Sequence, residues 1–549
     1  MRNEVLKLDP KDNVLIALQD LHKGQRIEFS GHSVVLVSEV PAKHKFVTEE
    51  LSPGNNVLMY GVLVGKATQT IHKGELLTTR NIRHEASPFH EKSTEYRWTP
   101  PDVSAWKHRN FLGYHRSDGQ VGTRNYWLVV PLVFCENRNI QVLKAAFEEG
   151  LGLAPPKMYR QQVAELVRLY QEGKLQDAAV RPAEENVPAA APARVFENLD
   201  GIKFLVHEGG CGGTREDTHN LCGLLAGYIH HPNVAGATVL SLGCQHSQVS
   251  ILREQLARRD PHFNKPVLVF DQQQTGSEFK LLSDAIQATF LGIVGANKNK
   301  RAPAPLSDLR IGLKCGGSDG FSGISANPAI GLVSDMVVAL GGETILSEFP
   351  ELCGVEQQLI DRSVQESVGH RFIQLMQDYA ARAKAVKAGF DMNPSPGNIR
   401  DGLLTDAMKS AGAARKGGTS PVTAVLDYPE YSTEPGLNLL CTPGNDVECV
   451  TAQVGAGANL VLFTTGLGTP TGNPVAPVLK ISTNSELAAR MQDIIDIDTG
   501  GIISGEKTVE QMANAILELI VRVASGESQT KAESLRQDDF IPWKRGVSL

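Results

Sequence analysis

Four of the eight cysteines stand where an apolar run of strand length gives way to a polar or glycine-rich loop. Trp127-Leu128-Val129-Val130-Pro131-Leu132 leads to Cys135, and Lys203-Phe204-Leu205-Val206 leads to His207-Glu208-Gly209-Gly210-Cys211. Thr238-Val239-Leu240-Ser241-Leu242 leads to Gly243-Cys244-Gln245-His246, and Arg310-Ile311-Gly312-Leu313 to Cys315-Gly316-Gly317-Ser318-Asp319. Other runs end at Glu348, at Asn445-Asp446 and at Gly466-Leu467-Gly468-Thr469-Pro470. In open α/β sheets ligands bind outside the carboxyl ends of the strands, so these loops are where chemistry is expected. A thiol beside glycine can present its sulfur, or a neighbouring N–H, to a ligand that bulkier residues would exclude. Soft thiolates near a histidine or carboxylate suit iron, and a set such as Asp319, Glu348 and Asp446 suits manganese or iron. Cys211, Cys244, Cys315, Asp319, Glu348 and Asp446 are therefore the candidate metal ligands. Taken singly, each cysteine also reads as a small hydrophobe at a sheet end.

Gly466, Gly468 and Thr469 form a candidate backbone nest for an anion such as a carboxylate. The spacing fails the GxGxxG pattern and Pro470 falls within it, which argues against a dinucleotide site. His44-Lys45 follows an apolar run in a turn-like Pro41-Ala42-Lys43 context. Either side chain could take a proton from carbon next to a carboxylate.

The elements that must position these residues are of two kinds. From about Val14 to Ile82 short β-type runs alternate with turn residues, the pattern of a small all-β module. Within it Leu21-His22-Lys23-Gly24-Gln25 and Ile71-His72-Lys73-Gly74-Glu75 repeat one form, which suggests equivalent turns. Residues 84–110 read as a linker. From Tyr126 onward the apolar runs alternate with helical stretches, the signature of parallel strands covered on both faces. The expected class is thus α/β with a small all-β N-terminal domain: residues 1–83, a linker over 84–110, a middle α/β part over 111–302 and a C-terminal α/β part over 303–549. Residues 181–193, rich in alanine and proline, read as a surface insertion.

Composition narrows the function. A chain of 549 residues with 41% hydrophobic and 21% charged residues is long enough for several cores. We expect no nucleic-acid partner, because a net charge of −7 offers no basic field. No apolar run approaches the roughly 20 residues that span a bilayer, and the first ten residues lack a signal-peptide core. A cytoplasmic protein with reduced thiols, and no membrane partner, is expected.

These motifs, in this order, resemble the altronate and galactarate dehydratase family. The resemblance is carried by His44-Lys45, Tyr60-Gly61, Gly113-Tyr114-His115-Arg116-Ser117-Asp118-Gly119, Gly122-Thr123-Arg124-Asn125, Cys135, Gly210-Cys211, Gly243-Cys244, the Cys315-to-Gly323 stretch, Asn393-to-Asn398 and Thr464-to-Pro470. It implies an N-terminal SAF (β-clip) domain, a C-terminal part that is Rossmann-like without a dinucleotide, and dimerisation through the middle part. It also implies Fe²⁺ or Mn²⁺ and β-elimination of water from a sugar acid, with D-altronate favoured over galactarate. On that reading His44 or Lys45 is the base and His207 or His246 the acid. Arg116, Arg124, Lys314, Ser318, Asn445, Gly466, Gly468 and Thr469 are candidate substrate contacts. One departure stands out: Lys43 occupies the position where glycine usually precedes the His-Lys pair.

Overall fold

The computed structural model describes residues 4–153, 158–175 and 195–548. The 181–193 stretch lies outside the described residues.

Short antiparallel strands build the N-terminal module. Val14–Ala17 pairs with Val5–Leu6 and with Lys45–Val47, and Asn56–Met59 pairs with Val62–Ala67. Tyr60 and Gly61 both adopt positive φ between the latter two strands, the backbone a two-residue hairpin turn demands. The repeated turns are equivalent: Gly24 and Gly74 share a φ of 83°, and in each the residue after glycine donates its N–H to the histidine carbonyl. Val14, Ile16, Val47, Met59 and Ile82 share one core with Phe321, Ile324, Leu404 and Met408. Apolar burial therefore fixes this module on the C-terminal part.

The linker is an ordered strap. His90 N–H donates to Gln357 at 2.9 Å, and the Tyr96 hydroxyl donates to the Thr419 carbonyl at 2.6 Å. The chain then forms Asn110–His115, which pairs antiparallel with both Val121–Gly122 and Ala302–Pro305. It thus enters and leaves the middle part through adjoining strands.

The middle part holds a parallel sheet in the order Gly201–Phe204, Tyr126–Pro131, Val234–Ser241, Val267–Asp271. Helices Asn137–Gly150 and Glu278–Ala296 bury Leu143 and Ile293 against one face, with Trp127 at the centre. The core on the other face is continuous with the C-terminal part through helices Arg215–His230 and Asp446–Gly455. There a Cβ on Gly227 would meet the Gly455 carbonyl at 2.1 Å, so glycine is what lets the two helices touch. The 19-residue helix Glu278–Ala296 corrects one expectation, since it is long and apolar enough to cross a membrane. Its inner residues are spent on the core of the sheet.

Seven parallel strands form the C-terminal sheet. Their order is Val422–Leu426, Gly436–Leu440, Glu343–Leu346, Arg310–Cys315, Leu460–Thr465, Val478–Ser482, Ile497–Asp498. Arg310–Cys315 comes first in the chain yet sits centrally, with the next strand on one side and Leu460–Thr465 on the other. Such a reversal opens a crevice at the carboxyl edge.

Candidate active site

Two linked clusters fill that crevice. In the first, Lys314 contacts Glu348, lies 2.9 Å from Asp446, and is fully buried. Lys416 donates to Cys315 Sγ and to Glu348, each at 2.7 Å. Lys409 reaches Glu351 at 2.8 Å, and Glu351 lies 3.5 Å from the Cys315 sulfur. Burial disfavours the charge on Lys314, but Asp446 and Glu348 outweigh it and hold the pKa well above the usual lysine value. Lys416 is raised in the same way by Cys315 and Glu348 against its own burial. Burial pushes the Cys315 thiol up to about 11. Glu348 takes a left-handed backbone with φ 68°, a local cost that the surrounding charges must offset.

The second cluster centres on Asp319, which has no exposed surface. It accepts from the Ser322 and Thr483 hydroxyls, both at 3.0 Å, and from Asn484 at 3.2 Å. Lys43, from the N-terminal module, lies 3.1 Å from Asp319 and 3.0 Å from Asp401. Glycines make these approaches: a Cβ on Gly316 would fall 2.5 Å from the Asp446 carboxylate, and one on Gly466 2.3 Å from that of Asp319. No side chain fits either gap.

Beside Lys43, the His44 Nε2 faces the Arg400 carbonyl at 3.0 Å while its buried Nδ1 has no partner among the described residues. A carbonyl only accepts, so Nε2 carries the proton and Nδ1 offers its lone pair. Burial lowers the His44 pKa below its ordinary value, which keeps the ring neutral near pH 7. Lys45 is fully buried and donates to the Lys43 and Gly402 carbonyls at 2.8 and 2.7 Å. Burial brings its pKa down to about 7.

Among the described residues, three groups of side chains place their ligand atoms within 4.8 Å of one another: His84, Cys353 and Asp406; Asp118, His230 and Asp260; and Cys315, Glu348 and Glu351. The last set does not fit a cation, because three ammonium groups already occupy its oxygens and sulfur. His84, Cys353 and Asp406 do fit. The buried Asp406 carboxylate meets no hydrogen-bond donor except the Cys353 thiol, and a bound ion would satisfy it.

Residues 3–85 match the altronate/galactarate dehydratase SAF domain, residues 113–297 the D-galactarate dehydratase/altronate hydrolase second domain, and residues 306–548 the D-galactarate/altronate dehydratase C-terminal domain. The chain is 34% identical over 549 residues, the whole of both chains, to the altronate dehydratase of Escherichia coli (strain K12). It is 33% identical over 547 residues, 99% of each chain, to that of Bacillus subtilis (strain 168). It is 30% identical over 533 residues to the galactarate dehydratase (L-threo-forming) of Escherichia coli (strain K12), covering 96% of this chain and 93% of that one. The chain belongs to the altronate and galactarate dehydratase family. It is accordingly a carbon–oxygen lyase acting on a sugar acid.

Within this family member the expected site residues divide. Cys315, Asp319, Glu348, Asp446 and Gly466 converge in the crevice, with His44 and Lys45 beside them. The Ser318 hydroxyl is buried without a partner, and Asn445 caps helix Asp446–Gly455 by accepting from Val447 and Glu448. Gly468 and Thr469 turn their N–H groups to the Thr465 hydroxyl at 2.9 and 3.1 Å, so they fold the loop instead of lining an anion nest. Cys211 and Cys244 lie exposed on loops of the other sheet, and the six expected ligands do not share one ion site.

Three expectations are corrected outright. His207 is buried with Nε2 against the Pro131 carbonyl at 2.8 Å and Nδ1 accepting from Gly209 at 3.1 Å, and burial takes its pKa to about 4. It holds a loop, and its one ring proton is committed to the Pro131 carbonyl. Arg116 donates to Pro232, Asn125 and Arg124, while Arg124 pairs with Glu533 at 2.7 Å. Both guanidinium groups are consumed internally. His246 has a buried, unpaired Nδ1 but sits on the Cys244 loop. The sequence reading missed Lys409, Lys416, Glu351, Asp401 and Asn484. Lys409 lies on helix Asp406–Ala413 and Lys416 on the following 3-10 turn Ala414–Gly417, and neither follows a strand.

Proposed function

We propose that the chain dehydrates D-altronate to 2-dehydro-3-deoxy-D-gluconate, with the His44 Nδ1 as the base that takes the C2 proton. The observation that carries this is the free, neutral Nδ1 of His44, aimed by the Arg400 carbonyl and set beside the Asp319 loop. Lys45 acts as a positioning residue, tying the turn to Gly402. The Lys314–Glu348–Lys416–Cys315 chain keeps ammonium and thiol protons at neutral pH and returns one to the departing C3 hydroxyl. Lys43 and the Ser318 hydroxyl face the substrate carboxylate.

Fe²⁺ or Mn²⁺ would be held by His84, Cys353 and Asp406. Such an ion, when bound, supplies Lewis-acid stabilisation of negative charge on oxygen. The middle part is proposed to form a homodimer. Helix Glu278–Ala296 leaves Phe279, Phe290, Leu291 and Val294 exposed on its outer face, an apolar patch of the kind that marks an interface.

Altronate is preferred to galactarate because Gly436-Leu437-Asn438-Leu439-Leu440 and Ser482-to-Ala488 are similar to the altronate branch. Two relatives that share nearly the full length carry that name. The test is formation of a 2-keto-3-deoxy acid from D-altronate and from galactarate in parallel, after anaerobic incubation with Fe²⁺. Turnover of galactarate alone would keep the chemistry and change the substrate.

A further inference from the structure

We propose that Cys135, Cys211 and Cys244 hold an iron–sulfur cluster at the carboxyl edge of the four-stranded sheet, with one iron left without a protein thiolate. The three cysteines follow the strands Tyr126–Pro131, Gly201–Phe204 and Val234–Ser241, which are neighbours in that sheet. Their loops are bonded to one another at a single junction. Phe134 donates its N–H to the Gly209 carbonyl at 3.0 Å, and His246 and Ser247 donate to the Gly210 carbonyl at 3.0 and 3.1 Å. The backbone within two or three residues of each cysteine therefore meets at Gly209-Gly210.

Glycine is obligatory in that junction. Gly210 has φ 102°, and a Cβ there would lie 2.3 Å from the Leu132 carbonyl. Gly212 and Gly243, flanking Cys211 and Cys244, also take positive φ, 66° and 118°. Loops of this kind expose successive N–H groups, and such concavities cradle iron–sulfur clusters as well as anions.

Exposure separates these thiols from the rest. All eight cysteines are free, and only Cys135, Cys211 and Cys244 are exposed. The other five are buried or half-buried, and burial raises each of their thiol pKa values. The three sulfurs are not among the sets whose ligand atoms lie within 4.8 Å of one another, so they do not converge on one ion. A cluster requires the wider spacing, because each thiolate binds a different iron. Assembly of a four-iron, four-sulfide core of charge 2+ takes two ferrous ions, two ferric ions and four sulfides, and each thiol loses its proton to solvent as its S–Fe bond forms. The iron without a thiolate takes an oxygen ligand from water or a hydroxyl.

The test is anaerobic reconstitution of the full-length protein with equal Fe²⁺ and Fe³⁺ and with sulfide, followed by assay of bound iron, acid-labile sulfide and visible absorption. None of these readouts uses a sugar acid, and sulfide is not expected at the His84 group, so failure here is distinct from failure of the functional reading. The wild type is expected to retain sulfide in proportion to iron, with broad thiolate-to-iron absorption. Cys135→Ser, Cys211→Ser and Cys244→Ser should each lose that sulfide and absorption, while Cys222→Ser keeps them. The unfolding midpoints of the three surface variants before reconstitution should match the wild type. Iron without sulfide in the wild type would overturn the proposal, as would full sulfide retention in the folded serine variants.

Discussion

Lys43 joins the N-terminal module to the C-terminal sheet through an ammonium 3.1 Å from Asp319, and it does so from a left-handed backbone with φ 73°. That conformation is why glycine suits this position, and the lysine trades backbone ease for an ion pair.

The trade can be measured. Lys43→Met loses the ion pair and keeps the strain, whereas Lys43→Gly loses both, so the glycine variant should be more stable than the methionine one by about 1 kcal/mol. Denaturant midpoints at constant m would show it. Equal midpoints would mean the left-handed turn costs nothing here.

Gly466 tests the packing of the second cluster. In Gly466→Ala the new methyl would lie 2.3 Å from the Asp319 carboxyl carbon. We expect a loss of roughly 1–3 kcal/mol in unfolding free energy, with a fall in kcat as Asp319 is displaced.

The acid limb of kcat/KM reports the free enzyme's base. Burial holds the His44 pKa below the ordinary histidine value of about 6.5, and the neutral form is the active one. Activity should therefore be full above that value and fall as pH drops through a midpoint below 6.5. Lys45, lowered to about 7, would place the midpoint near 7, which would transfer the role to the lysine.

Leu291 is 64% exposed on the outer face of its helix. Leu291→Glu should shift the sedimentation coefficient from dimer to monomer while the unfolding free energy of the protomer falls by no more than about 0.5 kcal/mol. An unchanged dimer would place the interface elsewhere.

Much of the fold was legible because parallel strands buried on both faces read as unbroken apolar runs, and each such run from Tyr126 onward falls on a strand. In the N-terminal module the run over residues 75–78 does not, and forms only an isolated bridge at Leu76. Val478–Ser482 escaped because Lys480 interrupts it. That lysine is fully buried over the Phe463 ring, with Nζ 3.5 Å from the ring centroid, a packing no local pattern announces. The strand-end rule found Cys315, Asp319, Glu348 and Asp446, since Cys315 closes its strand and the others lie in the loops just beyond one. It failed for His207, whose ring serves the Pro131 carbonyl, and the family resemblance misled at Arg116 and Arg124, which serve backbone carbonyls and an ion pair with Glu533. Lys409, Lys416 and Asp401 come from helices and turns far from Cys315 in sequence, so only the folded chain brings them together.

The central claim is tested most directly by His44→Ala, assayed with D-altronate after Fe²⁺ loading, with the exchange of the C2 hydrogen into solvent followed in parallel. With His44 as the base, kcat falls by about 10²–10⁴, C2 exchange is lost and substrate binding changes little. A variant that turns over and exchanges C2 hydrogen at the wild-type rate would contradict that claim.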